Sequence, residues 1–421
     1  MKFQRIKGTK DILPSEVYRW QHVERIISEI LENYSYKEIR TPAFEMTELF
    51  SRSVGTDTDI VSKEMYTFLD KGRQSLTLKP ELTAPVIRSF IQNHLDQVAP
   101  VTKVYYLDAL FRQERPQKGR LRQFHQFGCE LVGSEYPEAD AEIIKVVYDI
   151  YKELGIKAMT LRLNSIGSRN SRRRYLDVLR DSLKPHLQEF CAACQQRLEK
   201  NILRLFDCKA ESCQSILDEY APSILEYLDD SDLEHFESLK NLLELVNIDF
   251  TVDHKLVRGL DYYTRTTFEI TSPLLGAQDA LCGGGRYDHL VEDLGGKTTP
   301  AVGVAAGMER LLLALDELNA FPPEDVHPLY ISTLGERARE IGFKLRTELI
   351  ESGVESEMDF LRRSLKAQMR EAGKKGANWV VIIGDSEIDR GVVILRNMTD
   401  STQTDIPIDS ASQKITSALN G

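Results

Sequence analysis

Three observations in the sequence predict an α+β chain: an antiparallel sheet flanked by helices, a helical insertion within it, and a smaller C-terminal α/β domain. Two strand-like runs, 104–113 and 123–132, flank a polar loop containing Pro116 and Gly119, the pattern of a long antiparallel hairpin. Residues 168–247 turn polar and helix-forming, opening on Arg169, Arg172, Arg173 and Arg174 and closing on an acidic run over 229–244. Beyond a connection at 319–328 that holds Pro322, Pro323 and Pro328, apolar runs alternate with helical spacing, as in a small α/β unit.

The elements follow in order. Residues 8–14 form a turn-rich entry, and Pro14 and Ser15 start a helix with Trp20, Val23, Ile27, Ile30, Leu31 and Tyr34 on one face. A strand is predicted over 36–42, and 76–90 reads as a strand, a turn at Pro80 and a helix. In the hairpin, alternation puts Arg112 and Glu114 on one face of the first run, and Phe124, Gln126, Gly128 and Glu130 on one face of the second. Alone, that charged face would be a solvated surface. Bordered by Phe111, Phe124 and Phe127, it reads as the floor of a half-buried ligand site, and the loop adds Arg115, Lys118, Arg120 and Arg122. The glycine-rich run at 282–288 lets a ligand approach the backbone closely. Met308, Leu311, Leu312 and Leu315 then fall at helical spacing. In the last domain, strands are predicted at 329–333, 379–384 and 391–396, with helices at 337–352 and 364–372.

Several of these stretches carry a resemblance. The run F-R-x-E-R-P-Q-x-G-R-x-R-Q-F-H-Q at 111–126 is similar to the second signature motif of class II aminoacyl-tRNA synthetases, and in its long form to the histidyl-tRNA synthetase family. G-T-x-D-I-L-P at 8–14, L-V-R-G-L-D-Y-Y at 256–263, G-G-G-R-Y-D at 283–288 and the run ending in Arg310 resemble further motifs of that family. The resemblance implies ATP-dependent activation of L-histidine, with Mg2+, and transfer to histidine tRNA. It implies that Arg112 and Arg258 act at the α-phosphate, that Glu114 holds the adenine side, and that Arg310 pairs with the γ-phosphate. Glu81 and Thr83 would grip the histidine α-amino group, while Gln126, Glu130, Tyr262, Tyr263 and Tyr287 would line its pocket. Lys79 and Leu82 depart from the arginine and small residue usual beside Glu81. The helix from Pro14 and the strand after it correspond to a homodimer interface. The implied domains are a catalytic one at 1–325 with its insertion at 168–247, and an anticodon-binding α/β domain at 326–421. In the latter, Arg362, Arg363, Lys366, Arg370, Lys374 and Lys375 are the basic candidates for RNA contact.

The physical chemistry agrees with this reading. Adenylate formation needs positive charge against a pentacovalent phosphorus, and planar guanidinium groups suit phosphate better than lysine. Cys191, Cys194, Cys208 and Cys213 are a candidate structural zinc set. The CxxxxC spacing of the second pair is looser than a zinc ribbon, so buried free thiols are the preferred expectation and no metal site is assigned. Six cysteines and an opening segment without an apolar core predict a reducing, cytoplasmic location. No stretch is apolar enough to predict a membrane span. A net charge of −11 argues against broad nonspecific nucleic-acid binding but leaves room for a local basic path. A non-catalytic paralogue, the regulatory subunit of ATP phosphoribosyltransferase, is the strongest rival reading; such paralogues tend to lose the C-terminal domain and the 256–263 signature, which are both intact here. A second rival, a tRNA-sensing regulatory domain of a larger kinase, lacks its kinase in this chain.

Overall fold

The 102–132 hairpin sits inside an eight-stranded sheet. Its order is Lys37–Glu38, Thr102–Phe111, Gln123–Val132, Ala301–Gly307, Ala280–Arg286, Thr264–Thr271, Thr160–Ser165 and Phe250–Val252. The six middle strands are antiparallel and the two outermost pairings are parallel. This computed structural model describes residues 3–55, 58–117, 119–276, 279–323 and 327–420. The chain divides into two units, Met1–Phe321 and Pro322–Gly421. Lys118 and the expected boundary at 325/326 lie outside the described residues.

Helices cover one face of the sheet. Pro14–Asn33 begins on its proline, whose missing N–H costs nothing in a first turn, and buries Trp20, Val23, Ile27 and Leu31. Pro137–Glu153 adds Ile143, Ile144, Val147 and Ile150, against Tyr105, Phe127, Cys129 and Leu131 of the hairpin. The opposite face, holding Gln126, Gly128 and Glu130, is left for the site. Phe127 therefore does not border that site, as its nearness in sequence had suggested. It lies on the other side of the strand, in the helical core, because neighbouring strand residues point opposite ways. The strand expected over 36–42 is paired only at Lys37 and Glu38.

The polar stretch after Ser165 is helical. Arg169–Leu183, Ala192–Lys200 and Glu211–Tyr220 build a second core, in which Tyr175, Leu179, Phe190, Leu198 and Leu217 cluster with Tyr262, Tyr263 and Tyr287. The last helix of that stretch, Asp230–Leu245, instead sends Phe236, Leu239 and Leu243 into the main core. The second unit is a five-stranded sheet ordered Ser356–Met358, Leu329–Thr333, Trp379–Ile383, Val392–Asn397 and Gln403–Pro407. Its first three strands are parallel and the other two antiparallel, with helices Glu336–Glu351, Leu365–Lys374 and Ala411–Asn420 packing on it. Among the described residues, no helix is long and apolar enough to cross a membrane.

Candidate active site

A cavity of about 360 Å³ opens on the polar face of the sheet. Ten of the eleven residues singled out above line it: Glu81, Thr83, Arg112, Glu114, Gln126, Arg258, Tyr262, Tyr263, Tyr287 and Arg310. Glu130 does not. Its side chain is wholly buried beneath the floor, at a strand position paired with Gly303. A side chain at 303 would occupy the space the Glu130 carboxyl fills, so the glycine makes that burial sterically feasible.

Four arginines line the cavity, Arg120 from the hairpin loop and the three that the motifs named, Arg112, Arg258 and Arg310, from separate elements. The first hairpin strand ends at Phe111, so Arg112 and Glu114 sit on the loop beyond it rather than on a strand face. The ladder stops because the Gln113 N–H is diverted to the Glu64 carbonyl. Arg112 donates Nε–H to the Pro80 carbonyl at 2.8 Å, lies over the Phe124 ring at 5.2 Å, and has Glu114 3.8 Å from Nη1. Burial pulls its pKa down, opposed by Glu114, Glu64 and Glu81. Arg258 donates Nη1–H to Glu269 Oε2 at 2.7 Å and crosses directly over Gly283, where a side chain would collide with the guanidinium. Burial depresses Arg258, but Tyr263 and Glu269 outweigh it and the net shift is upward. Its Nε is buried with no hydrogen-bond partner among the described residues, an unmet donor of the kind an incoming acceptor satisfies. Arg310 heads the Met308–Glu317 helix and donates Nη1–H to the Ala280 carbonyl at 3.0 Å. Burial, then the like charge of Arg120, lowers its pKa.

The other corner is built on the start of the Thr83–Gln92 helix. Glu81 accepts the backbone N–H of Thr83 at 2.8 Å and of Ala84 at 3.0 Å, so its carboxylate closes the helix end. Burial nevertheless pushes Glu81 up to about 7. The Thr83 hydroxyl donates to Glu130 Oε1 at 2.8 Å, Tyr106 donates to the same oxygen at 3.1 Å, and Tyr287 donates to Oε2. Burial raises Glu130 to about 8 against those three hydroxyl bonds. The Tyr262 ring lies 4.7 Å from Tyr263 and meets Tyr287 edge-on at 5.6 Å, giving the corner aromatic walls. Lys79, which replaces the usual arginine, is 1% exposed and donates to Asp108 Oδ2 at 2.5 Å and the Thr41 carbonyl at 3.1 Å. Leu82 fills an apolar cluster with Val86, Val104, Tyr106 and Leu110. Lys79 therefore faces away from the cavity chemistry, whereas Leu82 also contributes to the cavity lining.

Two acidic lining residues, Glu269 and Glu309, escaped the sequence reading. Glu269 holds Arg258 and also accepts from Arg162 Nη1 at 3.3 Å. The available signal for Glu269 was an acidic residue in a strand of mostly β-branched residues, T-R-T-T-F-E-I-T. In the second unit, two of the basic candidates are already committed. Arg363 donates to Asp359 at 2.6 Å, and Lys375 pairs with Glu357 at 3.1 Å. Arg362, Lys366, Arg370 and Lys374 remain as the basic candidates.

The comparisons with known proteins agree with this geometry. A family model described as histidyl-tRNA synthetase matches residues 8–311, and one described as an anticodon binding domain matches 329–418. A histidine–tRNA ligase of Acetivibrio thermocellus is 47% identical over 99% of this chain and 100% of its own length. A crystal structure of apo S. aureus histidyl-tRNA synthetase is 37% identical, covers 98% of this chain and 100% of that one, and superposes with a TM-score of 0.83. A Bacillus halodurans ATP phosphoribosyltransferase regulatory subunit/histidyl-tRNA synthetase, 21% identical with a TM-score of 0.67, shares the fold. With the cavity, its arginines and both matched domains in one chain, this protein belongs to the histidyl-tRNA synthetase family.

Proposed function

We propose that this class II histidine–tRNA ligase activates L-histidine with ATP in the cavity and then passes the histidyl group to the 3′ end of histidine tRNA. The observation that carries the proposal is the convergence of three guanidinium groups with the Glu81–tyrosine corner in a single cavity. The histidine carboxylate attacks the α-phosphorus, the bond to pyrophosphate breaks, and histidyl-adenylate remains. Negative charge grows on the α-phosphate oxygens in that step, and Arg112 and Arg258 are the donors assigned to it. Glu114 holds the adenine side and Arg310 the γ-phosphate. Glu81, ionised, accepts the histidine α-ammonium group. Thr83 spends its proton on Glu130, which leaves its oxygen free to accept from the same ammonium. Gln126, Tyr262, Tyr263 and Tyr287 surround the imidazole. Glu130 acts from below, holding Thr83 and Tyr287 in place.

Magnesium on the ATP phosphates supplies charge neutralisation. Glu269 lines the same cavity and would fit a hydrated ion that needs one or two carboxylates beyond the phosphates. The helix from Pro14 supports assembly as a homodimer, and six unpaired cysteines suit a reducing cytoplasm. The second unit reads the anticodon. Histidine-dependent ATP–pyrophosphate exchange tests the first half-reaction, and its absence, or equal exchange with phenylalanine, would overturn the assignment. A chain ending at Phe321 should keep exchange and lose most tRNA charging; loss of both by the same factor would refute the division of labour.

A further inference from the structure

Cys191, Cys194, Cys208 and Cys213 belong to the helical insertion, and their sulfurs all fall within 4.8 Å of one another. Cys191 and Cys208 Sγ are 4.0 Å apart. Four thiolates around a tetrahedral zinc ion, with Zn–S about 2.3 Å, sit about 3.8 Å from each other. The four sulfurs therefore need to close up by no more than about 1 Å to reach tetrathiolate spacing. From these distances we propose that the insertion carries a structural zinc ion held by these four cysteines.

The surroundings suit that ion. Cys191 immediately precedes the Ala192–Lys200 helix, Cys194 lies in its first turn, and Cys213 lies in the first turn of Glu211–Tyr220. Backbone N–H groups already point at sulfur: Cys191 N–H at Cys213 Sγ, 3.3 Å, and Ala210 N–H at Cys208 Sγ, 3.4 Å. Such bonds stabilise thiolate ligands. Cys194 and Cys213 are buried and packed with Phe190, Leu198, Leu205 and Leu217, while Cys191 and Cys208 are partly exposed, which leaves an entry path. Binding converts four thiols into thiolates and releases their protons to solvent, giving a dianionic complex.

The ion also has a mechanical consequence. The two ligand pairs bracket residues 195–207, a strap that reaches towards the active site. Within it, Asn201 donates to Asp261 at 2.9 Å and Arg204 donates to Asp59 at 2.7 Å. Asp261 directly precedes Tyr262 and Tyr263, so pinning both ends of the strap steadies the tyrosine wall of the cavity.

The test is metal analysis of the full-length protein purified without an affinity tag. One zinc per chain should survive gel filtration and be released as a mercurial titrant consumes four thiols. Cobalt exchanged into the site should give the intense visible bands of a tetrahedral thiolate complex, and Cys191→Ser or Cys208→Ser should lose both metal and bands. Cobalt and zinc readings on the unaltered chain keep the test decisive if either variant misfolds. Less than about one-tenth of a zinc per chain with no cobalt bands would overturn the proposal. So would iron in place of zinc, or only two titratable thiols in denaturant, which would mean two disulfides. A kinetic readout rests on the proposed function: zinc removal should raise the KM for histidine several-fold more than that for ATP. Metal content is measured independently of activity, so failure of one does not entail failure of the other.

Discussion

Replacing Gly283 by alanine should damage catalysis without removing any group that contacts substrate. A Cβ at 283 would lie 2.5 Å from Arg258 Nη1 and closer still to Cζ and Nη2, whereas ordinary contact begins near 3.4 Å. The guanidinium must therefore retreat by about 1 Å, and retreat breaks its 2.7 Å bond to Glu269. A displacement of that size in a charge-stabilising group costs roughly 10²-fold in rate, about 2.7 kcal/mol. Removing the group outright, as in Arg258→Ala, should cost roughly 10²–10³-fold. Both substitutions act through one side chain, so their effects should not add. The double variant should match Arg258→Ala, where independent effects would multiply to roughly 10⁴-fold or more. The assay is histidine-dependent pyrophosphate exchange at saturating ATP, with thermal unfolding as a control for fold. Exchange by Gly283→Ala within threefold of the parent, or a fully multiplicative double variant, would refute the reasoning.

Further outcomes follow from two titrating groups. Glu81 must be ionised to take the histidine ammonium, yet burial raises it to about 7, so the KM for histidine should climb as pH falls below that value. Between pH 7.5 and 5.5 the rise should be about 20-fold from this group alone, flattened in Glu81→Gln, and a profile unchanged by that substitution would remove Glu81 from the site. Folding shows the opposite sign: with its folded pKa raised from 4.5 to about 7, Glu81 contributes stability below pH 4.5 that is lost as pH climbs through 7. Asp140 is the reverse case. Fully buried against Arg286, its pKa falls from 3.8 to about 2: burial alone would raise it, but Arg286 and His235 overcome that penalty. It contributes about 2 kcal/mol above pH 4, lost as pH drops through 2. Asp140→Asn, which leaves a buried guanidinium without its counter-charge, should cost about 3–5 kcal/mol in denaturant melts. A loss under about 1 kcal/mol would show that Ser134, Tyr136 and Asp288 alone satisfy Arg286.

The elements legible in the sequence are those whose cause is local. The helix at Pro14–Asn33 has its proline, its apolar stripe and a left-handed Ser35 just past its end, all within reach of a short window. The second hairpin strand has the predicted bounds, Gln123–Val132, because alternation and flanking polar residues define it. Gln403–Pro407 was missed because only Ile406 is buried there; as an edge strand it borrows its order from Val392–Asn397. Ser356–Met358 is three residues long and is likewise fixed by pairing rather than by its own pattern.

For the site, the sequence by itself determined the residue types. The motif runs named three arginines, Glu81, Thr83, Glu114, Gln126, Glu130 and three tyrosines, and ten of those eleven positions line one cavity. Tertiary structure decided which partners those residues meet. Arg258 and Glu269 are eleven positions apart on a loop and a strand, and only the crossing over Gly283 joins them. Glu130 has the alternation of a floor residue, but its neighbour Gly303, 173 positions later, lets it sink beneath the floor and bind Thr83, Tyr106 and Tyr287 instead. The four cysteines looked too unevenly spaced for a metal until two helix starts brought them within 4.8 Å. The physical reason is common to all three. Side-chain direction follows from local backbone geometry, but burial, counter-charge and ligand geometry depend on segments that only the packed chain brings together.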